Sequence, residues 1–231
     1  MLLLRQKVAV KNMIGLLCWL SLMQTVQSEA TPAKTVSLPA EYAQSPSGKP
    51  LTEEQRAAIE HGEILVQLTI VQGTPVKRAR AIALVDAPPE QVFAILTGYN
   101  EFPQFMPYCK KVEVQKKEGE PLRVRFELDF PWPIGDRRYV LRLTDRREDV
   151  AGKQVFISSW TYEPNSGNIH DAYGSWEVLS YDEVHSFVRY TVFTDPGGNI
   201  PNWANNMATE VAVHKVINGL RKRLNEKKET H

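Results

Sequence analysis

Six strand-length segments, separated by breaks too short to hold a crossover, occupy the middle of this chain. They are Lys111 to Lys116, Leu122 to Phe130, Arg138 to Arg146, Gln154 to Tyr162, Ala172 to Ser180 and Val184 to Thr194. Between them lie turn runs such as Glu118-Gly119-Glu120-Pro121, Pro133-Ile134-Gly135-Asp136, Ala151-Gly152-Lys153 and Tyr181-Asp182-Glu183. Parallel neighbours need a dozen or more connecting residues, so these strands must pair antiparallel. In RVRFELDF (123–130) Val124, Phe126, Leu128 and Phe130 face one way and Arg123, Arg125, Glu127 and Asp129 the other. That alternation puts water on one face of the sheet.

Ahead of this block the periodicity is mixed. Thr52 with Gln55 three residues on has the form of a capping box opening a short helix to about His61. Ile64 to Val71 and Val76 to Val85, turned by Gly73-Thr74-Pro75, read as a strand pair. Asp86 and two prolines then start a helix whose apolar stripe is Val92, Phe93 and Leu96, ending near Gly98. After the breaker Asp195-Pro196-Gly197-Gly198, residues 200 to 228 read as one long amphipathic helix, apolar at Trp203, Met207, Val213, Val216, Ile217, Leu220 and Leu224. Its later, polar side carries a basic cluster, which capping of the helix dipole and contact with anionic lipid both explain.

The first 28 residues are different material. Arg5, Lys7 and Lys11 precede an apolar stretch from Met13 to Val26, too short to cross about 30 Å of hydrocarbon, and small residues follow at Ser28 and Ala30. This is the pattern of a secretory signal peptide, which implies export to a periplasm or secretion. Residues 29–50 hold four prolines and few large apolar groups, and read as a flexible linker to a folded domain over 51–231. The whole chain has 28 Lys plus Arg against 27 Asp plus Glu, a formal charge of +1. The segment 1–28 takes three of the cations and none of the anions. A balance this even offers no field to hold a nucleic-acid backbone. Two cysteines, Cys18 in the leader and Cys109, make no disulfide framework.

A long helix after an antiparallel sheet must bury its stripe on the sheet's apolar face. At this point the chain resembles the START-like superfamily (the SRPBCC group of Bet v1-like, polyketide cyclase and lipid-transport proteins). The likeness covers about residues 52 to 228 and is carried by DAPPEQVFAILTGYNEFPQFMP (86–107), FPWPIGDRRYV (130–140) and FTDPGGNIPNWANNMA (193–208). It implies an α+β helix-grip fold, a curved antiparallel sheet wrapped around the C-terminal helix with an apolar cavity between them. Residues at the implied cavity positions are Phe126, Leu128, Phe130 and Trp132, then Tyr139, Trp160, Tyr162 and Trp176, and finally Phe193, Trp203 and Met207. Arg189, with Arg80, Arg138 and Arg142 as alternatives, stands where a headgroup could be oriented, since a guanidinium donates two parallel hydrogen bonds to phosphate or carboxylate. Loops 98–109, 131–138 and 195–204 are the implied mouth.

No catalytic, metal or cofactor signature accompanies these positions. The histidines lack HExxH spacing, Cys109 lacks a CxxC partner, and no GxSxG occurs. The reading that follows is an exported, non-catalytic protein that binds and transports a lipid or other hydrophobic small molecule, with transient contact to a membrane surface. A polyketide cyclase/dehydrase-like enzyme and a coenzyme Q-binding accessory protein are the alternatives within the same superfamily.

Overall fold

Each short break marked above becomes an antiparallel hairpin, and the hairpins join into one sheet of eight strands. The computed structural model describes residues 38–198 and 201–229, the side chains of 202–208 excepted. The strands are β1 (Leu65–Ile70), β2 (Lys77–Val85), β3 (Cys109–Gln115), β4 (Leu122–Leu128), β5 (Arg137–Val150), β6 (Lys153–Tyr162), β7 (Asp171–Ser180) and β8 (Ser186–Asp195). Their order is β1-β2-β8-β7-β6-β5-β4-β3, every neighbour antiparallel. The first hairpin therefore lies beside the last strand. Helices α1 (Glu53–Glu60), α2 (Pro89–Thr97) and α3 (Asn202–Glu229), with a 3₁₀ turn at Tyr99–Gln104, complete the α+β helix-grip fold.

Local chemistry explains the helix starts. Thr52 accepts from Gln55 N–H at 3.1 Å while Gln55 Oε1 accepts from Thr52 N–H at 3.2 Å, the capping box expected. For α2 the expected cap, Asp86, is displaced by Pro88, and Pro89 occupies the first turn, where a missing N–H costs nothing. Strand β5 runs four residues beyond the expected Arg146. Its extension, Arg147 to Val150, carries no apolar alternation and is held by the ladder to Lys153–Phe156 of β6.

The inner face carries the main core. On β2 the inward residues Ala79, Ala81 and Ala83 are fully buried and pack with Val213, Ile217, Leu220 and Leu224 of α3 and with Val92 and Leu96 of α2. Three alanines in succession let the helix come close to the strand. Arg221 locks that approach by donating to the carbonyl oxygens of Leu84 (2.8 Å from Nη2) and Gly62 (2.9 Å from Nη1). Nearer its C-terminus, Arg223 donates to Glu101 at 2.6 Å, and with Lys227 holds that carboxyl below its usual range. Gly219 has no side chain to strike Phe105: a Cβ there would sit 2.5 Å from the Phe105 carbonyl oxygen.

The outer face differs from expectation at one end. Over 38–50 the chain is not the free linker its composition suggests. Leu38 and Tyr42 are buried, with Ile59 of α1, against Ile82, Leu84, Val155, Ile157, Leu179 and Phe187. Prolines that keep a segment extended also let it lie flat on a sheet. Arg189 clamps it there: the guanidinium lies 4.6 Å from the Tyr42 ring, donates to the Glu41 carbonyl at 2.6 Å and pairs with Glu177 at 3.1 Å. The wet outer face expected from RVRFELDF is found on β4 and β5, where Arg123 and Arg142 share Glu163.

Tyr42→Ala should lower unfolding free energy by about 3 kcal/mol, the cost of removing a buried aromatic, as measured by denaturant titration. A change under about 0.5 kcal/mol, as at an exposed site, would mean that the segment does not cover the sheet.

Candidate ligand cavity

The alternation of each strand decides which side chains face the interior between sheet and α3. On β4 these are Val124, Phe126 and Leu128; on β5 Arg137, Tyr139, Leu141 and Leu143; on β6 Ser158 and Trp160; on β7 Ala172 and Trp176; on β8 Tyr190, Val192 and Thr194. All but Val124 border a cavity of about 230 Å³, closed on its other sides by Tyr99, Phe102 and Met106 from the 3₁₀ region and by Ala212, Val213 and Val216 of α3. The volume corresponds to seven or eight water molecules at about 30 Å³ each, below the roughly 300–1,000 Å³ of drug-sized pockets. In this form the space suits one acyl segment or ring system.

The shape follows from local packing. Gly174 on β7 faces inward, and a Cβ there would collide with the Trp160 ring and the Thr191 carbonyl. Its absence lets the Trp160 indole lie across the sheet, 6.1 Å from the Tyr190 ring, which itself stacks on Trp176 at 4.0 Å. Phe102 meets Phe105 edge-on at 5.5 Å, and Phe126 stacks with Tyr139 at 5.9 Å. Rings pack at these distances with modest extra attraction beyond their buried area.

Polar groups sit at both ends of this apolar wall. At one end the Tyr99 hydroxyl donates to Asp145 Oδ1 at 2.8 Å and, its only proton being spent there, accepts from the Ser158 hydroxyl at 3.1 Å. Burial raises the Tyr99 phenol above its usual range. At the other end Arg137 donates from Nε to the Pro196 carbonyl at 3.0 Å and from Nη1 to the Asp136 carbonyl at 2.9 Å. Between the ends, burial also raises Tyr139 and Tyr190, and pushes the Cys109 thiol up to about 11.

The rim is built from the expected loops 98–109 and 131–138 and from 195–198 of the third; residues 202–204 begin α3 instead. Tyr108, in the left-handed backbone region at φ 62°, packs its ring 4.9 Å from Phe130, and its hydroxyl accepts from Lys215 Nζ of α3 at 2.9 Å. Arg137 joins the β4–β5 loop to the segment after β8. Asp195 binds that same segment by accepting from Gly197 N–H at 3.0 Å, and ties it to the β1–β2 turn by accepting from the Thr74 hydroxyl at 3.1 Å. Next to the rim stands Trp132, 89% exposed.

Of the residues named from the sequence, Phe126, Leu128, Phe130, Tyr139, Trp160 and Trp176 border the cavity. Tyr162 shares the inner face but packs half-buried beside the aromatic cluster, away from the lining. Trp132 projects outward from its loop. Phe193 is buried on the opposite face, where it stacks on Tyr173 at 4.9 Å. Arg189 lies on that outer face too, because Val188, Tyr190 and Val192 take the inward positions of β8. The run FVRYTVF hid this alternation, since Phe187 and Phe193 meet protein on the outer side as well. Arg80, Arg138 and Arg142 likewise lie outside the lining. Among the described residues the charged group that borders the cavity is Arg137, one position from Arg138, and in a strand one position is the other face. The side chains of Trp203 and Met207 lie outside the described residues. Tyr99, Phe102, Met106, Cys109 and Tyr190 were missed as lining; the aromatic run 98–109 signalled a loop near the mouth but not which of its rings point in.

An open antiparallel sheet gripping a C-terminal helix around an apolar cavity defines the START-like class of α+β proteins. The chain belongs to the family described as polyketide cyclase / dehydrase and lipid transport, whose model matches residues 85–221. An uncharacterized protein of Pseudomonas aeruginosa is 26% identical over 179 residues, 76% of this chain and 89% of that protein. Human phosphatidylcholine transfer protein is 28% identical over 138 residues, spanning 56% of this chain and 64% of its own length. Among solved structures, a STAR-related lipid transfer protein from Xanthomonas axonopodis matches with TM-score 0.61 at 25% identity, covering 70% of this chain and 93% of that one. Human StAR-related lipid transfer protein 5 matches with TM-score 0.62 at 13% identity over 72% of this chain and 84% of its own, a likeness of fold.

The position of Cys109 gives a direct probe of the cavity. With Cys18 replaced by Ser, iodoacetamide labelling at pH 8 should run at least about tenfold slower than for an ordinary thiol. The rate should keep rising through pH 10, because a raised pKa keeps the thiol protonated until then. Levelling off near pH 9 would show that the thiol is not buried in the wall.

Proposed function

We propose that this protein binds a lipid or other hydrophobic small molecule in the cavity and carries it between membranes without chemical change. The observation that carries this reading is the wall itself: aromatic and aliphatic side chains from five strands and α3 converge on one predominantly apolar space. Each methylene moved from water into such a wall gains about 0.8 kcal/mol, while transfer from a bilayer interior is nearly neutral. A carrier therefore depends on a gate more than on tight contacts. The Tyr108–Lys215 and Arg137–Pro196 hydrogen bonds, which join rim loops to each other and to α3, are the natural gate contacts. A carrier is favoured over a cyclase because no histidine or carboxylate lines the cavity among the described residues, and because its buried tyrosines and Cys109 are pushed further from neutrality, where proton transfer is inefficient.

Export belongs to the same reading and rests on the basic start and 14-residue apolar stretch of the leader. N-terminal sequencing of protein recovered from outside the cytoplasm should find a start after Ser28 or Ala30. A retained Met1 would count against it.

Organic extracts of gently purified protein should contain a stoichiometric lipid or apolar metabolite by mass spectrometry. Leu141→Trp, which fills the middle of the cavity, should abolish that load while the protein still melts cooperatively. An empty wild-type protein that also binds no fluorescent lipid would refute the carrier reading. Trp132→Ala should slow lipid transfer between vesicles several-fold and leave affinity in solution unchanged, since an exposed indole beside the rim suits the membrane interface.

A further inference from the structure

The polar groups at the Arg137 end of the cavity are incompletely used by the protein. Arg137 spends Nε and Nη1 on two backbone carbonyls, and Nη2 has no partner among the described residues. Among the described residues no carboxylate makes an ion pair with it; Asp136, whose charge reaches it, lies 4.0 Å from Arg138. Two residues along the same inward face, Tyr139 is 7% exposed, and its hydroxyl has no hydrogen-bond partner among the described residues. The same holds for Tyr190, whose free surface faces the cavity. These donors open onto the cavity rather than being enclosed by protein, so they are free to meet a ligand, and a guanidinium stays charged in any protein environment. A cation and two phenols bordering one apolar space are complementary to an anion attached to an apolar body.

Building on the carrier reading, we propose that the ligand is a single-chain amphiphile with an acidic headgroup, carboxylate or phosphate, received by Arg137 Nη2 and the hydroxyls of Tyr139 and Tyr190. The chain then lies along Leu141 and Leu143 toward Ser158 and Tyr99. From Arg137 to Asp145 the strand advances about 26 Å at roughly 3.3 Å per residue, so head and tail ends are well separated. The cavity volume of about 230 Å³ is smaller than one long acyl chain, so the rest of the chain must occupy the opened mouth, and a second chain has no room.

The test is calorimetric titration of the full-length protein with three probes sharing one oleoyl chain: oleate, oleoyl lysophosphatidate and neutral monoolein. At least one acidic probe should bind about tenfold or more tightly than monoolein, as expected for hydrogen bonds to a charged group. Tighter binding of oleate identifies a carboxylate, and of lysophosphatidate a phosphate. Arg137→Gln should erase the preference, Tyr139→Phe should reduce it at least about threefold, and Arg189→Gln, the same charge change on the outer face, should leave it intact. If Arg137→Gln does not fold, Tyr139→Phe, which removes one oxygen without changing shape, decides the matter alone. Monoolein bound as tightly as both acids, or a preference that survives in folded variants, overturns this proposal and leaves the carrier reading standing. Failure of all three probes to bind overturns both.

Discussion

The packing of α3 on the alanines of β2 sets the position of everything else on the inner face. Small side chains at 79, 81 and 83 bring the helix close to one side of a wide sheet, and Arg221 fixes it there through backbone carbonyls. A single helix cannot cover eight strands. Over β4 to β6 the inward residues are large and the helix is not close, so the space between is bridged by the 3₁₀ turn and by rings that touch without filling it. The cavity is thus the geometric remainder of a helix seated off centre. Larger residues on β2 would lift α3 and change that remainder more than any substitution in the lining itself.

The sheet was legible in the sequence because hairpin breaks and period-two alternation are local signals. The fold class followed from one further step, that a long amphipathic helix needs a face to cover. The site was legible only where alternation was clean, as at Phe126, Leu128, Tyr139, Trp160 and Trp176. It was obscured where both faces are buried: Phe187 and Phe193 made β8 look uniformly apolar, and so Arg189 read as an intruder in the core when it is a clamp on the far side. Arg137 and Arg138 show the sharper limit. Adjacent identical residues take opposite faces, and only the ladder to β4 says which is which.

Charge is distributed by the same logic. Several arginines of the outer face answer carboxylates, as Arg123 and Arg142 do with Glu163, or take a carboxylate and an aromatic ring together, as Arg189 does with Glu177 and Tyr42. Two that touch the inner layer, Arg137 and Arg221, donate to backbone oxygen instead. Carbonyls position a guanidinium without neutralising it, so the interior keeps positive charge at fixed points. At Arg221 that charge anchors a helix; at Arg137 it stands beside the apolar space.

The outer cover has a consequence for where the folded unit begins. The family match starts at residue 85, inside the last residue of β2, and composition would place the boundary near Leu51. Neither cut leaves a self-sufficient sheet. A chain begun at 51 would lack Leu38 and Tyr42 and bare an apolar patch spanning Ile82, Leu179 and Phe187, an adhesive surface on a protein whose other face already encloses an apolar cavity. A chain begun at 85 would in addition leave β8 as an unpaired edge, ready to recruit another strand. The proline-rich stretch ahead of α1 is therefore an anti-aggregation device as much as a connector, and it leaves exposed apolar surface to the side that holds the cavity.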